Sequence, residues 1–287
     1  MTSTMTDENL GNTALVKPTF TSNLARSACL LVCLAVAAGC SSTDRQASGP
    51  SASPSNLAGS PLRVAIAPDY PPLVSEQGGV FVGAEIDLAR ALGQELKRPV
   101  EFVPFKRENL IAALQEGRAD IVMSGMSVTK ARQFRAAFTA PYLQNQLRAI
   151  FRRADADRFR STNDIRSTTA RIGVLPGTTA DVFVQKNCPN AQRIALQYRR
   201  DAVFFLTDGG RFDVYLDDLF ALAQLVSQNE AAVGFLREPL AVEDIAWAVS
   251  PRNPELLRQV DDILARWKSD GSLSRTFEQW LPYLKPN

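Results

Sequence analysis

Twice along this chain, short apolar runs of β type alternate with segments of helical spacing in the order β-α-β-α-β. No other feature restricts the fold as much. In the first copy, residues 63–66, 100–105 and 119–123 read as strands. Between them, residues 85–96, with Leu88, Leu92 and Leu96 on one face, and residues 109–115 read as helices. In the second copy, residues 171–175, 194–198 and 212–216 read as strands, with helices over 179–186 and 202–207. A further helix over 219–227 and a strand over 231–236 follow. Strands that alternate with helices pair in parallel and need cover on both faces. Two such units of about ninety residues imply two lobes. The expected division is one lobe over residues 61–150, to which residues 245–287 return, and a second over 151–244. Ligands of open α/β sheets sit beyond the carboxyl ends of the strands, so a ligand would lie in the cleft between the lobes.

Composition removes several chemistries. The chain has 287 residues and no histidine. Ser-His-Asp and Cys-His nucleophiles and histidine metal sites are therefore excluded, and no metal or cofactor is expected. A net charge of +2 offers no argument for a nucleic-acid partner. Of the four cysteines, Cys29, Cys33 and Cys40 lie in the first forty residues and only Cys188 in the body. Without a histidine to activate it, Cys188 reads as a small packed residue.

Residues 27–40, SACLLVCLAVAAGC, carry an apolar core of about a dozen residues after Arg26. That is the length of a secretory signal and short for a membrane span. The end, Ala37-Ala38-Gly39-Cys40, resembles a bacterial lipoprotein signal, which implies cleavage after residue 39 and lipidation of Cys40. Ala37 departs from the Leu that such signals prefer. Residues 41–60 are rich in Ser, Pro, Gly and Ala and read as a flexible tether. The expectation is a periplasmic or cell-surface protein held to the membrane by a lipid, the alternative a plain cleaved signal and a soluble periplasmic protein.

Each strand end carries a candidate group. Tyr70 follows the first strand in a proline-rich loop that could present its ring to a ligand or pack it away. After the third strand comes SGMSVTKARQF, residues 124–134. Thr129 reads as a helix N-cap, which puts Lys130 and Arg132 at the positive end of the helix dipole, a cost of about 0.3–1 kcal/mol each. Ser127 offers a hydroxyl and Arg132 a fork for a carboxylate, unless Arg132 is merely solvated. In the second copy, Gly177-Thr178-Thr179 opens a helix, either as an anion nest or as a simple Thr178 cap. Asp217 and Asp218 end a strand, where an acid can hold an ammonium or cap the next helix. Neighbouring carboxylates on extended backbone point apart.

The stretches RVAIAPDYPP, VGAEIDLARAL, LIAALQEGRADIVMSGMSVTKAR, GVLPGTTA, GRFDVYLDD and WKSDGSLSRTFEQWL resemble the bacterial family 3 extracellular solute-binding proteins over about residues 61–285. The resemblance implies an α/β, two-lobe periplasmic-binding-protein-like fold of type II, each lobe a mostly parallel sheet flanked by helices. It implies a monomeric receptor for a polar amino acid or related carboxylate, working with an ABC permease and without catalysis. It assigns Ser127 and Arg132 to the ligand carboxylate, the Met126 backbone to its ammonium, Thr178 and Thr179 to the carboxylate from the second lobe, Asp218 to the ammonium and Tyr70 to stacking. Arg107 stands where a second aromatic is usual, Ala84 follows Gly83 in place of an aromatic, and Glu85 replaces an Asp. Arg107 could stack or reach an acidic ligand group. GAEIDL, VLPGTTA and WAV resemble the branch that includes solute-binding-like domains of lytic transglycosylases, an activity not expected here. The alternatives are a periplasmic enzyme like cyclohexadienyl dehydratase, with Glu85, Asp217 and Asp218 as the available acids, or a sensing module without a transporter.

Overall fold

The computed structural model describes residues 59–281. The expected signal segment, Cys40 and nearly all of the tether lie outside the described residues.

The chain begins with β1 (Leu62–Ile66), β2 (Asp69–Tyr70), β3 (Val74–Gln77), β4 (Val80–Val82), α1 (Ala84–Glu95), β5 (Val100–Pro104), α2 (Leu110–Gln115), β6 (Ile121–Val122), α3 (Lys130–Gln133) and β7 (Ala137–Phe138). It continues with β8 (Leu143–Arg152), α4 (Thr162–Ser167), β9 (Arg171–Val174), α5 (Thr179–Asn187), β10 (Gln192–Ala195), α6 (Ala202–Leu206), β11 (Val214–Asp218), α7 (Leu219–Ser227) and β12 (Val233–Phe235). The last elements are β13 (Ala241–Ile245), β14 (Ala248–Val249), α8 (Pro254–Ser269) and α9 (Ser272–Trp280).

The first sheet has the order β5-β1-β6-β14-β7 and the second β10-β9-β11-β8-β12, with β13 also on β8. Both sheets are mixed, where the resemblance implied mostly parallel ones. The predicted strands β5-β1-β6 and β10-β9-β11 are parallel, while β14 runs antiparallel to β6, and β11, β12 and β13 all run antiparallel to β8. β8, β13 and β14 lie where the chain passes from one lobe to the other and back, and the β-α alternation does not reveal them, whereas β12 is the strand expected over 231–236.

The crossing also comes earlier than residue 150. From Leu143 onward β8 pairs with strands of the second sheet, which moves that boundary toward residue 142. The strand expected over 194–198 is β10, two residues earlier, and the small antiparallel sheet β2-β3-β4 is an addition.

Each lobe has its own core. Val64, Ile66, Ile86, Leu88, Leu92, Ile121 and Trp247 pack with Val260, Leu264 and Trp267 of α8. That helix starts cleanly because Asn253 accepts from the Leu256 N–H and Pro254 fills the first turn. In the second lobe Ile172, Val174, Phe183, Val184, Val214 and Leu216 form the core, with Cys188 buried among them. Burial pushes the Cys188 thiol up, which keeps it protonated and inert.

Candidate functional site

The carboxyl ends of the parallel strands of both sheets converge. After β1 comes Tyr70, after β5 Arg107, after β6 Ser124 to Arg132, after β9 Thr178 and Thr179, after β10 Arg199, and at the end of β11 Asp218.

Tyr70 is fully buried, and two guanidiniums lie over its ring, Arg107 at 4.7 Å and Arg199 at 4.6 Å from the centroid. Its hydroxyl meets Asn145 Nδ2 at 3.2 Å and bonds the Asp218 carboxyl. The ring is packed, and the Arg107 and Arg199 guanidiniums cover it. Gly125 stands against the same ring with φ +57°. A Cβ there would come within 2.4 Å of Tyr70 Cε1, so only glycine fits.

Thr129 caps α3 as expected, its hydroxyl accepting from the Arg132 N–H at 3.2 Å. Lys130 is exposed, whereas Arg132 turns inward. Arg132 Nη1 donates to Ser127 O at 2.8 Å, and Nη2 donates across the cleft to Gly177 O at 3.1 Å. No carboxylate among the described residues forms an ion pair with it. Burial first, and the neighbouring Arg107 charge second, pull the Arg132 guanidinium down to about 10. The Met126 carbonyl accepts from the Ala246 N–H at 3.1 Å, and its side chain is buried.

Two of the three hydroxyl residues assigned by resemblance to a ligand carboxylate already hold one from this chain. Ser127 Oγ donates to Glu243 Oε2 at 2.6 Å, and Thr179 Oγ1 donates to the same oxygen at 2.8 Å. Glu243 lies on β13 directly opposite Asn145 of β8. Thr178 does not present its hydroxyl to the cleft. That hydroxyl donates to Leu175 O at 2.7 Å and accepts from the Asp181 N–H at 3.2 Å. Thr178 thus caps α5 with its hydroxyl and holds the adjoining Thr179 in place. Gly177 precedes it at φ +77°, with a would-be Cβ only 2.8 Å from Glu108 Cβ of the other lobe.

Asp217 and Asp218 point apart, as extended backbone requires. Asp217 is locked in a buried pair with Arg199, with Nε–Oδ2 at 2.6 Å and Nη2–Oδ1 at 3.2 Å, and it also accepts from Tyr215. Arg199 Nη1 donates across the lobes to Asp69 O at 2.6 Å. Asp218 faces the cleft and accepts from Asn145 Nδ2 at 2.6 Å. Burial, then the Asp217 charge, raise the Asp218 carboxyl to about 6. Glu85 lies outside the cleft, fully buried beneath Gly125. No group of three or more Cys, Asp or Glu side chains among the described residues is placed to hold a metal ion.

Arg107 is the least satisfied of these groups. Nη1 donates to Ser124 O at 3.3 Å, while Nε and Nη2 are buried without an acceptor among the described residues. On its outer side opens a cavity of about 590 Å³ between the lobes, lined by Phe105, Arg107, Leu175, Leu196, Gln197 and Tyr198 among others. Ser127, Arg132, Thr179 and Asp218 do not line it.

Sequence reasoning passed over Asn145, Arg199 and Glu243. Arg199 follows the predicted strand β10 and so had a positional signal. Asn145 and Glu243 sit on the crossing strands, which the β-α pattern does not disclose.

Relatives agree with this architecture. The chain is 28% identical over 227 residues to ABC transporter arginine-binding protein 1 of Escherichia coli, covering 77% of this chain and 90% of the relative. It is 30% identical over 228 residues to the cyclohexadienyl dehydratase of Pseudomonas aeruginosa, covering 78% and 84%. Among solved structures it resembles an ancestral arginine-binding protein bound to arginine, with TM-score 0.71, 29% identity and coverage of 77% and 98%. An ancestral amino-acid-binding precursor of cyclohexadienyl dehydratase matches with TM-score 0.71, 31% identity and coverage of 77% and 95%. Since the family model itself matches residues 62–283, nearly the whole two-lobe body, the chain belongs to the bacterial extracellular solute-binding proteins, family 3.

Proposed function

We propose that the protein is a monomeric extracytoplasmic receptor that captures a small zwitterionic or carboxylate solute between its lobes and delivers it to the permease of an ABC importer. The observation that carries this reading is the meeting of Arg107 and Arg132, neither paired with a carboxylate among the described residues, with the Asp218 carboxyl at the strand ends of both lobes. Guanidiniums take the ligand's anionic group and Asp218 its ammonium, while Tyr70, Ser127, Thr179 and the Met126 backbone form the surrounding walls. Closure of the lobes on the ligand makes the form that docks the permease.

Titration calorimetry against L-arginine, L-glutamine and L-glutamate tests the reading. Wild type binds at least one of them, and Arg132→Ala weakens that binding at least tenfold. An ammonium paired with Asp218 favours its ionised form. Affinity is therefore full above about pH 6 and falls as pH drops through that value. Absence of binding across this panel rejects an amino-acid ligand, and absence of binding to organic acids as well rejects the receptor.

Export and anchoring rest on residues 27–40. Lipidation of Cys40 tethers the body to the membrane, so Cys40→Ala moves the protein from the membrane to the soluble fraction. A variant that stays membrane-bound refutes the anchor.

A second reading is enzymatic. It rests on Asp218, a cleft acid held at about 6 and so able to carry a proton near neutrality. Turnover of prephenate or arogenate in an absorbance assay, abolished in Asp218→Asn, would favour it over the receptor.

A further inference from the structure

Glu243 changes what this cleft can recognise. Its carboxylate sits on Ser127 Oγ and Thr179 Oγ1, one hydroxyl from each lobe, at 2.6 and 2.8 Å. Those bonds are charge-assisted and bring two lobes and a crossing strand together on one oxygen. A second carboxylate in that seat would have to displace a tethered one or stand beside it, with like charges in contact.

Arg107 has the opposite problem. Its guanidinium is pressed against Tyr70, and two of its nitrogens are buried with no acceptor among the described residues. An unpaired buried donor on a charged group is costly, about 1–3 kcal/mol or more, and an anion would remove that cost. An anion on Arg107 also offsets the charge that helps pull Arg132 down to about 10.

Arg107 lines the outer cavity of about 590 Å³. That falls in the 300–1,000 Å³ range of pockets that enclose drug-sized molecules. Its walls set the apolar surface of Phe105, Leu175, Leu196 and the Tyr198 ring beside three acidic and three basic residues, Arg107 among the latter.

We infer that the ligand is an organic acid whose anionic group is held by Arg107 at the inner end of this outer chamber, and whose apolar or aromatic body fills the chamber, while Glu243 keeps the inner seat. The inference rests on the solute-binding reading and narrows it from any small zwitterion or carboxylate to one class. Arg107 acts here as the residue that chooses the ligand.

The test is titration calorimetry of the full mature chain with L-arginine, L-glutamine, L-glutamate, phenylacetate and hippurate. Hippurate, which joins a carboxylate to an aromatic body, is expected to bind wild type at least tenfold more tightly than L-glutamine. Arg107→Met removes the charge and keeps the stem over Tyr70, and Gln197→Trp fills the chamber from an exposed position. Each should lower hippurate affinity at least tenfold, and by more than Ser127→Ala does, with melting curves confirming that all three variants fold. If a compact amino acid binds most tightly, Ser127→Ala abolishes its binding and Gln197→Trp has no effect, then the ligand displaces Glu243 and occupies the inner seat. That result overturns the inference and leaves the receptor standing. If wild type binds none of the five compounds, the receptor reading falls and the inference with it.

Discussion

Arg199→Ala is expected to destabilise the protein by about 3–5 kcal/mol, because it leaves the buried Asp217 carboxylate without its counter-charge. Both side chains are nearly inaccessible, at 4% and 2% exposure, and two hydrogen bonds join them. Arg199 also bonds the Asp69 carbonyl of the other lobe and covers Tyr70, so its loss loosens the cleft as well. At about 2–4 °C per kcal/mol for a body of this size, the melting temperature falls by roughly 10 °C. A thermal or urea melt reads the effect directly, and a loss below about 1 kcal/mol would mean that the pair contributes little.

Replacing both partners, as in Arg199→Leu with Asp217→Leu, should recover part of the loss, since no lone charge remains. Recovery stays partial because the Tyr215 hydroxyl and the Asp218 N–H lose their acceptor. The pH dependence has a definite sign. Burial alone would raise the Asp217 carboxyl, but the charge and hydrogen bonds of Arg199 outweigh it and hold it below its usual value. The pair's stabilisation is therefore present above the ordinary carboxylate range and lost as pH falls through the lower, folded-state value. The gap between wild type and Arg199→Ala should close in acid.

Glu85→Ala is the second large effect expected, a loss of about 3–6 kcal/mol. Glu85 is fully buried and accepts from three donors: the Gly125 N–H at 3.0 Å, the Tyr142 hydroxyl, and Trp247 Nε1 at 2.8 Å. Each donor left unsatisfied costs about 1–3 kcal/mol, and the three are not fully additive because they share one site. Glu85→Gln should also destabilise, since one carboxylate oxygen becomes an N–H facing the N–H of Trp247 or Gly125. Chemical denaturation followed by tryptophan fluorescence measures the loss and reports the environment of Trp247. Ligand affinity should fall with it, because the Gly125 N–H belongs to the loop that carries Ser124 and Ser127. Stability within 1 kcal/mol of wild type would show that these donors find water instead.

Glu85 also illustrates what a sequence conveys about a site. By residue type it reads as one of the acids available for catalysis, yet it is a structural hub beneath the loop. Periodicity placed it correctly in the first turn of α1. Nothing in that periodicity says which donors from Gly125, Tyr142 and Trp247, separated by up to 162 positions, come to its two oxygens. The same limit applies to Thr178, whose residue type suits both a ligand contact and a cap. Only the 2.7 Å bond to Leu175 and the contact from Asp181 show the hydroxyl to be taken. Thr129 and Cys188 were legible because capping and packing are local preferences.

By itself the sequence determined the two-lobe α/β order, the strand ends where chemistry collects and the absence of histidine-based catalysis. These follow from period, turn chemistry and composition, which are properties of neighbours along the chain. Tertiary structure alone decided that β8 and β13 cross antiparallel, that Asp217 belongs to Arg199, and that Glu243 sits where a ligand carboxylate was expected. Each of these joins residues 18 to 116 positions apart, or more. Which oppositely charged or hydrogen-bonding groups meet is set by how the two sheets close on each other, and no local spacing encodes that distance.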